Sequence, residues 1–319
     1  MTSYLLRRIG QAIAVLIGVI LIMFILTHLL PGGPARAVLG AKATPEAVAG
    51  FNAAHGLDQP LWRQFIDFFV QLLQGNLGHS YARNQAVTEM VIQYLPRSAM
   101  LLFIAYTLAL AIGIPLGIFQ AVRRNRPSDY TLTGLSFIFY SMPSFLVGFL
   151  LIAIFAIRFK VFPPAAPAAG SVWAILAQPR GLVLPVVTIA VISIASYSRY
   201  MRSSALENLA LDYIRTARAK GANTRLVISR HLLRNAMLPI VTMVGLSLPN
   251  VIAGALVTEQ VFNYPGMGLM FLKAAYVQDY PVMMGFAVCV GTATVVGSLL
   301  ADIAYGVLDP RVRLAVKPT

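Results

Sequence analysis

Six cations stand within 28 residues of this sequence: Arg215, Arg218, Lys220, Arg225, Arg230 and Arg234, all between Asp212 and Pro239. Arginine offers a planar fork to carboxylates and phosphates, so the chemistry on offer is ionic recognition rather than bond making. Residue patterns that make or break bonds are missing. There is no Gly-Lys dipeptide and hence no phosphate-cradling loop, and neither HExxH nor GxSxG occurs. The histidines, His28, His55, His79 and His231, are far apart and lack ligand spacing, and His28 reads as a packing or interfacial residue. Cys289 stands alone in an apolar run, which excludes a disulfide or a cysteine metal cluster. The expectation is a non-catalytic chain that binds no metal and no cofactor of its own.

The elements that would position the cations can be read from the same stretch. Asp212 is placed to cap a short helix, YIRTARAK makes about two turns, and Gly221 supplies a left-handed stop. Asn223 or Thr224 can cap a second helix through RLVISRHLLRNAM. Ala217 and Ala219 leave the first helix thin, so that another surface could approach; Tyr213, Ala217 and Lys220 share one face. Arg215 and Arg218 lie on a neighbouring face. A thin helix with a charged rim suits a groove on a partner protein. The charge also serves membrane topology, and it could bind anionic lipid heads at about 1 kcal/mol per cation. A DNA-binding helix–turn–helix is disfavoured by tethering between two apolar spans, so no nucleic acid partner is expected.

Those spans follow from composition. The 319 residues are 58% hydrophobic and 11% charged, with net charge +14 and mean hydropathy +0.74. Soluble domains carry about 25% charge, so the solvent of this chain is lipid. A bilayer core needs about 20 apolar residues per helix, and unbroken runs without period-two alternation select helices over a barrel. Six spans are expected, near 9–30, 98–122, 130–157, 182–200, 238–257 and 282–308, with Pro143 and Pro249 inside the third and fifth. The first run is too long for the core of a cleaved signal peptide. The one clear intramembrane acid is Asp302, thin support for a proton-coupled carrier.

Sixteen of the 25 cations fall on one side: Arg7, Arg8, Arg123, Arg124, Arg126, the eight from Arg199 to Arg234, and Arg311, Arg313 and Lys317. That side is expected to be cytoplasmic, with both termini inside. The organisation is then residues 1–30 as N-terminus and first span, 31–97 as an extracytoplasmic loop, 98–308 as a five-span core and 309–319 as a cytoplasmic tail. The core includes a basic loop at 201–239 and an outer loop at 258–285. Within 31–97, Leu61, Phe65, Phe68, Phe69 and Leu72 recur at helical spacing and predict an amphipathic helix ended by Gly75.

Two long stretches carry a resemblance. SALENLALDYIRTARAKGANTRLVISRHLLRNAMLP is similar to the EAA loop of the membrane subunits of dipeptide/oligopeptide/nickel-class ABC importers, with Arg215-Thr216-Ala217 where other importer classes have Glu-Ala-Ala. TEQVFNYPGMGLMFLKAAYVQDYPVMMG, residues 258–285, matches TExxFxxPGxGxxxxxAxxxxDYPxxxG at every fixed letter. RRIGQAIAVLIGVILIMFILTHLLPG, GLDQPLWRQF, AIGIPLG, SMPSF and DPRVR match as well. Pro31-Gly32-Gly33-Pro34 and Gly75-Asn76-Leu77-Gly78 each lack an acid that the family usually has.

The resemblance implies an all-α polytopic membrane protein of the type I ABC importer permease fold, the first of two permeases. It implies that Asp212, Tyr213, Arg215, Thr216, Ala217, Arg218, Ala219, Lys220 and Gly221 form a coupling helix that docks on a cytoplasmic ATPase. It also implies an outer loop over the pore, carrying Glu259, Phe262, Tyr264, Pro265, Gly266, Gly268, Asp279, Tyr280 and Pro281, that contacts a substrate-binding protein or the incoming substrate. From the residues alone, Pro265-Gly266 makes a tight turn, Gly268 permits a second bend, and a purely structural plug is equally allowed. The implied partners are a second, non-identical permease, two ABC ATPase subunits holding ATP and magnesium, an extracytoplasmic binding protein and the bilayer of a bacterial inner membrane. Peptides are the implied cargo. Nickel chelates, glutathione and oligosaccharides are alternatives, and a stand-alone secondary carrier is a more distant one.

Overall fold

The structure, a computed structural model, describes residues 2–40 and 42–308. The tail 309–319 with its DPRVR motif lies outside the described residues, as do the side chains of Arg7, Arg8 and Asp302. Among the described residues the chain is helical without strands; His79 and Ala86 form one isolated antiparallel bridge. Four helices are long and apolar enough to cross a membrane, and the number rises to six if each of two bent helix pairs is one crossing.

The chain forms two compact units. The first comprises Met1–Ala99, Ala168–Val172 and Pro249–Val296. Its opening helix, Thr2–His28, buries Ile20 and Phe24 against Met284 and Val288. The amphipathic helix Leu61–Leu73 lays Phe65, Phe68 and Leu72 on that same cluster. Leu61, expected on the packed face, is exposed, and so are Trp62, Ile66 and Val70. These three recur at i, i+4 and i+8, an outward apolar stripe of the kind that rests on a membrane interface. Gly75 ends the helix at φ +76, with the Asn76 amide donating to the Gln71 carbonyl at 2.9 Å. His28 packs as expected, its ring nitrogens within bonding distance of the Phe24 carbonyl (2.8 Å) and Gln64 Oε1 (3.1 Å).

The second unit comprises Met100–Pro167, Trp173–Leu248 and Gly297–Thr319. Within it, helix Val87–Val122 meets helix Val183–Leu209 through the AIGIPLG motif. A Cβ at Gly117 would stand 2.5 Å from the Ser198 carbonyl oxygen and 2.7 Å from Met201 Cβ; at Gly113 it would stand 3.1 Å from Tyr197 Cβ. Two glycines four apart thus let two helix backbones touch, which is how apolar helices attract in lipid without a hydrophobic driving force.

Three boundaries differ from expectation. The second helix starts at Val87 rather than near 98, since its first turns, though polar, bury Val87 and Met90 in the first unit's core. The third span is two helices, Pro127–Ser141 and Ser144–Arg158, meeting at 103° rather than one kinked rod. Met142 precedes Pro143 and is pushed to an extended ψ of 130°, which ends the helix outright. Helix Val183–Leu209 runs nine residues beyond its expected end, because its cations are satisfied by the neighbouring helix. Arg202 forms a forked pair with Asp129 at 2.7 and 2.8 Å. Arg199 stacks 4.5 Å from the Phe137 ring centroid and 4.4 Å from that of Tyr140.

Candidate functional site

Within the first unit, the segment 254–281 is built around a carboxylate. Glu259 is fully buried. Its Oε1 accepts from the Ser98 hydroxyl at 2.6 Å and the Ala255 amide at 3.2 Å, and Oε2 accepts from the Leu269 amide at 3.0 Å. Ser98 Oγ in turn accepts from the Met267 amide at 2.8 Å. Among the described residues no cation pairs with Glu259, so neutral donors alone saturate it. Three glycines make room for this arrangement. A Cβ at Gly254 or Gly266 would stand 2.5 Å from Glu259 Oε1, and one at Gly268 would stand 2.6 Å from Leu256 Cα and 3.1 Å from Oε2.

The expected bend at Gly268 is therefore replaced by a helix. Gly268 lies inside helix Met267–Tyr276, and it is glycine because backbone and carboxylate press against it. The turn at Pro265-Gly266 is present, closed by the Gly266 amide donating to the Tyr264 carbonyl at 2.8 Å. Phe262 and Tyr264 are fully buried, and the Tyr264 hydroxyl donates to the Arg97 carbonyl at 2.7 Å. Burial, with the Glu259 charge adding to it, pushes the Tyr264 phenol well above its usual range. It stays a neutral donor.

Asp279 is a second buried pin. It accepts from the Ser80 hydroxyl, from the Tyr81 amide at 3.1 Å and from the Ala82 amide at 3.3 Å. These bonds fasten residues 80–82 to the turn before helix Tyr280–Leu308. Burial pushes the Tyr81 phenol up to about 12, with the Asp279 and Tyr280 fields contributing less. Tyr280 is buried with its ring centroid 4.9 Å from that of His28, and Pro281 lies under Gly78. Nine residues of the 258–285 motif thus sit in one unit, and most face inward.

The basic helix belongs to the second unit and has the opposite character. Helix Asp212–Ala219 buries Ile214 and Ala217 in a cluster with Ile118, Ala121, Met201, Ala205, Val227 and Leu232. Asp212, Arg215, Thr216, Arg218, Ala219, Lys220 and Gly221 are exposed, and Tyr213 is half-buried with its hydroxyl donating to Asn208 Oδ1 at 2.8 Å. Two expectations are corrected. Ala217 does not thin an outward face; at i+3 from Ile214 it shares the inward one. Asp212 is not the cap either. Leu211 holds that position in extended backbone, and Asp212 opens the first turn, where it favours the helix dipole and pairs with Arg215 at 3.5 Å. Gly221 stops the helix at φ +84, and Asn223 caps the next one through the Leu226 amide at 2.9 Å.

Residues that sequence reasoning passed over complete the first-unit site: Ser98, Ser80, Gly254 and Arg97. Arg97-Ser98 follows Pro96 at the foot of an apolar run, and a cation at that place is the signal the sequence offered; the structure shows it to be buried.

The binding-protein-dependent transport system inner membrane component family matches residues 113–314, and its N-terminal companion matches residues 1–102. The oligopeptide transport system permease protein AppB of Bacillus subtilis is 35% identical over 314 residues, covering 98% of this chain and 99% of its own. The dipeptide transport system permease protein DppB of Escherichia coli K12 is 35% identical over 336 residues, with the same coverage. Among solved structures, a chain of the MetNI methionine ABC transporter in an inward-facing form superposes with a TM-score of 0.57 at 16% identity. It covers 70% of this chain and 97% of that one, a likeness of fold.

Proposed function

Because the chain belongs to the family of binding-protein-dependent transport system inner membrane components, we propose that it is the membrane-spanning subunit of an ATP-driven peptide importer. The names of AppB and DppB, relatives along the whole chain, support peptides as cargo over nickel chelates, glutathione or oligosaccharides. The complex would hold a second, non-identical permease, two ABC ATPase subunits carrying ATP and magnesium, and an extracytoplasmic binding protein. The excess of Lys and Arg favours cytoplasmic termini in a bacterial inner membrane. Helices Val87–Val122, Val183–Leu209 and Tyr280–Leu299 bury only 39%, 50% and 44% of their most apolar windows inside the chain, which leaves surface for lipid and a second permease.

The observation that carries the reading is helix Asp212–Ala219, anchored by its own Ile214 and Ala217, with Arg215, Arg218 and Lys220 exposed. A rigid cationic knob suits a groove with carboxylates on an ATPase. Closure of the ATPases would push the knob, and the spans attached to it would tilt between inward-open and outward-open forms. The segment 254–281 would lie on the outer side, over the path. The test is uptake of a labelled dipeptide into proteoliposomes holding the assembled complex and binding protein. Uptake should need ATP and should persist without a proton or sodium gradient. Uptake driven by either gradient without ATPases would replace this reading with a secondary carrier.

A further inference from the structure

Beside the Glu259 cradle lies an open cavity of about 230 Å³, lined in part by Pro265 and Lys273 of the 258–285 segment. Three of its lining residues are cations, Arg83, Arg97 and Lys273, and none of its lining residues is an acid. Arg97 is 7% exposed. Its terminal nitrogens donate to the carbonyls of Gly170 and Pro265, while its Nε is buried without a partner. Carbonyls satisfy hydrogen bonds but do not neutralise a charge, and a buried cation without a counter-charge is costly. The contrast within this chain is Arg202, whose fork is met by Asp129. Arg97 and Arg83 also share one aromatic ring, standing 5.0 and 5.8 Å from the Tyr94 centroid. The Arg83 guanidinium donates to the Tyr94 hydroxyl at 2.8 Å. Lys273 has no acidic partner among the described residues.

The arrangement is held in place. Tyr264 clamps the Arg97 carbonyl, Glu259 grips the adjacent Ser98, and Lys273 rides on helix Met267–Tyr276 behind Gly266. The buried carboxylate of Glu259 is saturated by its own donors, and among the described residues no ion pair joins an acid to Arg97. The remaining lining combines the polar Asn263 and Tyr94 with small and apolar residues, among them Ala169, Leu269 and Met270.

The geometry points to a carboxylate-binding pocket that takes the C-terminal end of a peptide. Its carboxylate is met by Arg83 and Lys273 and answers the uncompensated charge of Arg97, and its last side chain lies against Leu269 and Met270. The exposed Arg83 guanidinium and Lys273 ammonium can donate to a carboxylate, and the cavity is too small for a folded partner but fits a chain end. This rests on the peptide-import reading and adds to it a recognition step made by the permease itself.

The test is ATP-driven uptake by the complete importer in phosphatidylcholine vesicles, comparing Ala-Ala with the same dipeptide as its C-terminal amide. The variants are Lys273→Gln and Arg83→Gln, both at exposed positions. The binding protein is the same throughout, so its own preference cancels when variants are compared. The expected result is a KM for the free acid raised on the order of tenfold in each variant, with the amide unchanged, the usual weight of one charged hydrogen bond. Acid and amide affected equally would indicate a docking defect, and neither affected would leave the pocket without a role; both overturn the inference. So does an effect that appears only when anionic phosphatidylglycerol is added, which would assign the cations to a lipid phosphate. Absence of any peptide uptake in the unaltered complex overturns the importer reading and the pocket with it, whereas uptake with an unaltered acid-to-amide ratio overturns the pocket alone.

Discussion

The 254–281 segment and the 212–221 helix are inverted versions of one device. In the first, charge is buried and glycines crowd around it: Glu259 and Asp279 take neutral donors, and no cation answers Glu259 among the described residues. In the second, charge is outside and the anchor is aliphatic: Ile214 and Ala217 hold the helix while Arg215, Arg218 and Lys220 meet solvent. A motif letter in the first region is therefore a folding constraint, and a motif letter in the second is free to meet a partner. Substitutions in the first should cost stability, and charge changes in the second should cost assembly.

That comparison breaks most visibly at Glu259. Glu259→Ala strips an acceptor from Ser98, Ala255 and Leu269, and several orphaned donors at once should cost about 3–5 kcal/mol. Thermal unfolding in detergent should register it as gross destabilisation. A stable Glu259→Ala protein would mean that the carboxylate is kept for something other than folding. Gly266→Ala should come next, at about 2–3 kcal/mol, because the added methyl overpacks the Ser98–Glu259 contact. The same assay reads it, and loss of the effect in a Glu259→Ala background would show that the two act at one place.

Gly221→Ala sharpens the other half. Its φ of +84 disfavours any side chain, yet a Cβ there meets nothing within 4 Å. The expected cost is the backbone term alone, about 1–2 kcal/mol. A penalty no larger than that of an ordinary surface change would mean that the corner relaxes.

How far the sequence carried depends on which force set each feature. The long apolar helices were legible because hydropathy is additive over about 20 residues, although four of them are long enough to cross by themselves and six are reached only if each bent pair is one crossing. Ends set by pairing were not: helix Val183–Leu209 outruns its apolar stretch because Asp129, far away in sequence, waits for Arg202. The break at Met142-Pro143 was legible as a proline but not as a 103° corner, since neighbours decide whether a proline kinks or severs. The glycine stop at 221 and the Asn223 cap are local chemistry and could be read directly. The inward turn of Ala217 was within reach, because Ile214 three residues earlier marks the buried face. The Glu259 cradle was not, because its partner Ser98 lies 161 residues away.

The most direct test of the account is the double charge reversal Arg215→Glu, Arg218→Glu in the assembled importer. Both side chains are exposed, so chain stability should change by less than about 0.5 kcal/mol. The ATPase subunits should nonetheless fail to copurify, and ATP-driven peptide uptake should be lost. If the reversed chain keeps its ATPases and transports normally, the helix is not the coupling surface.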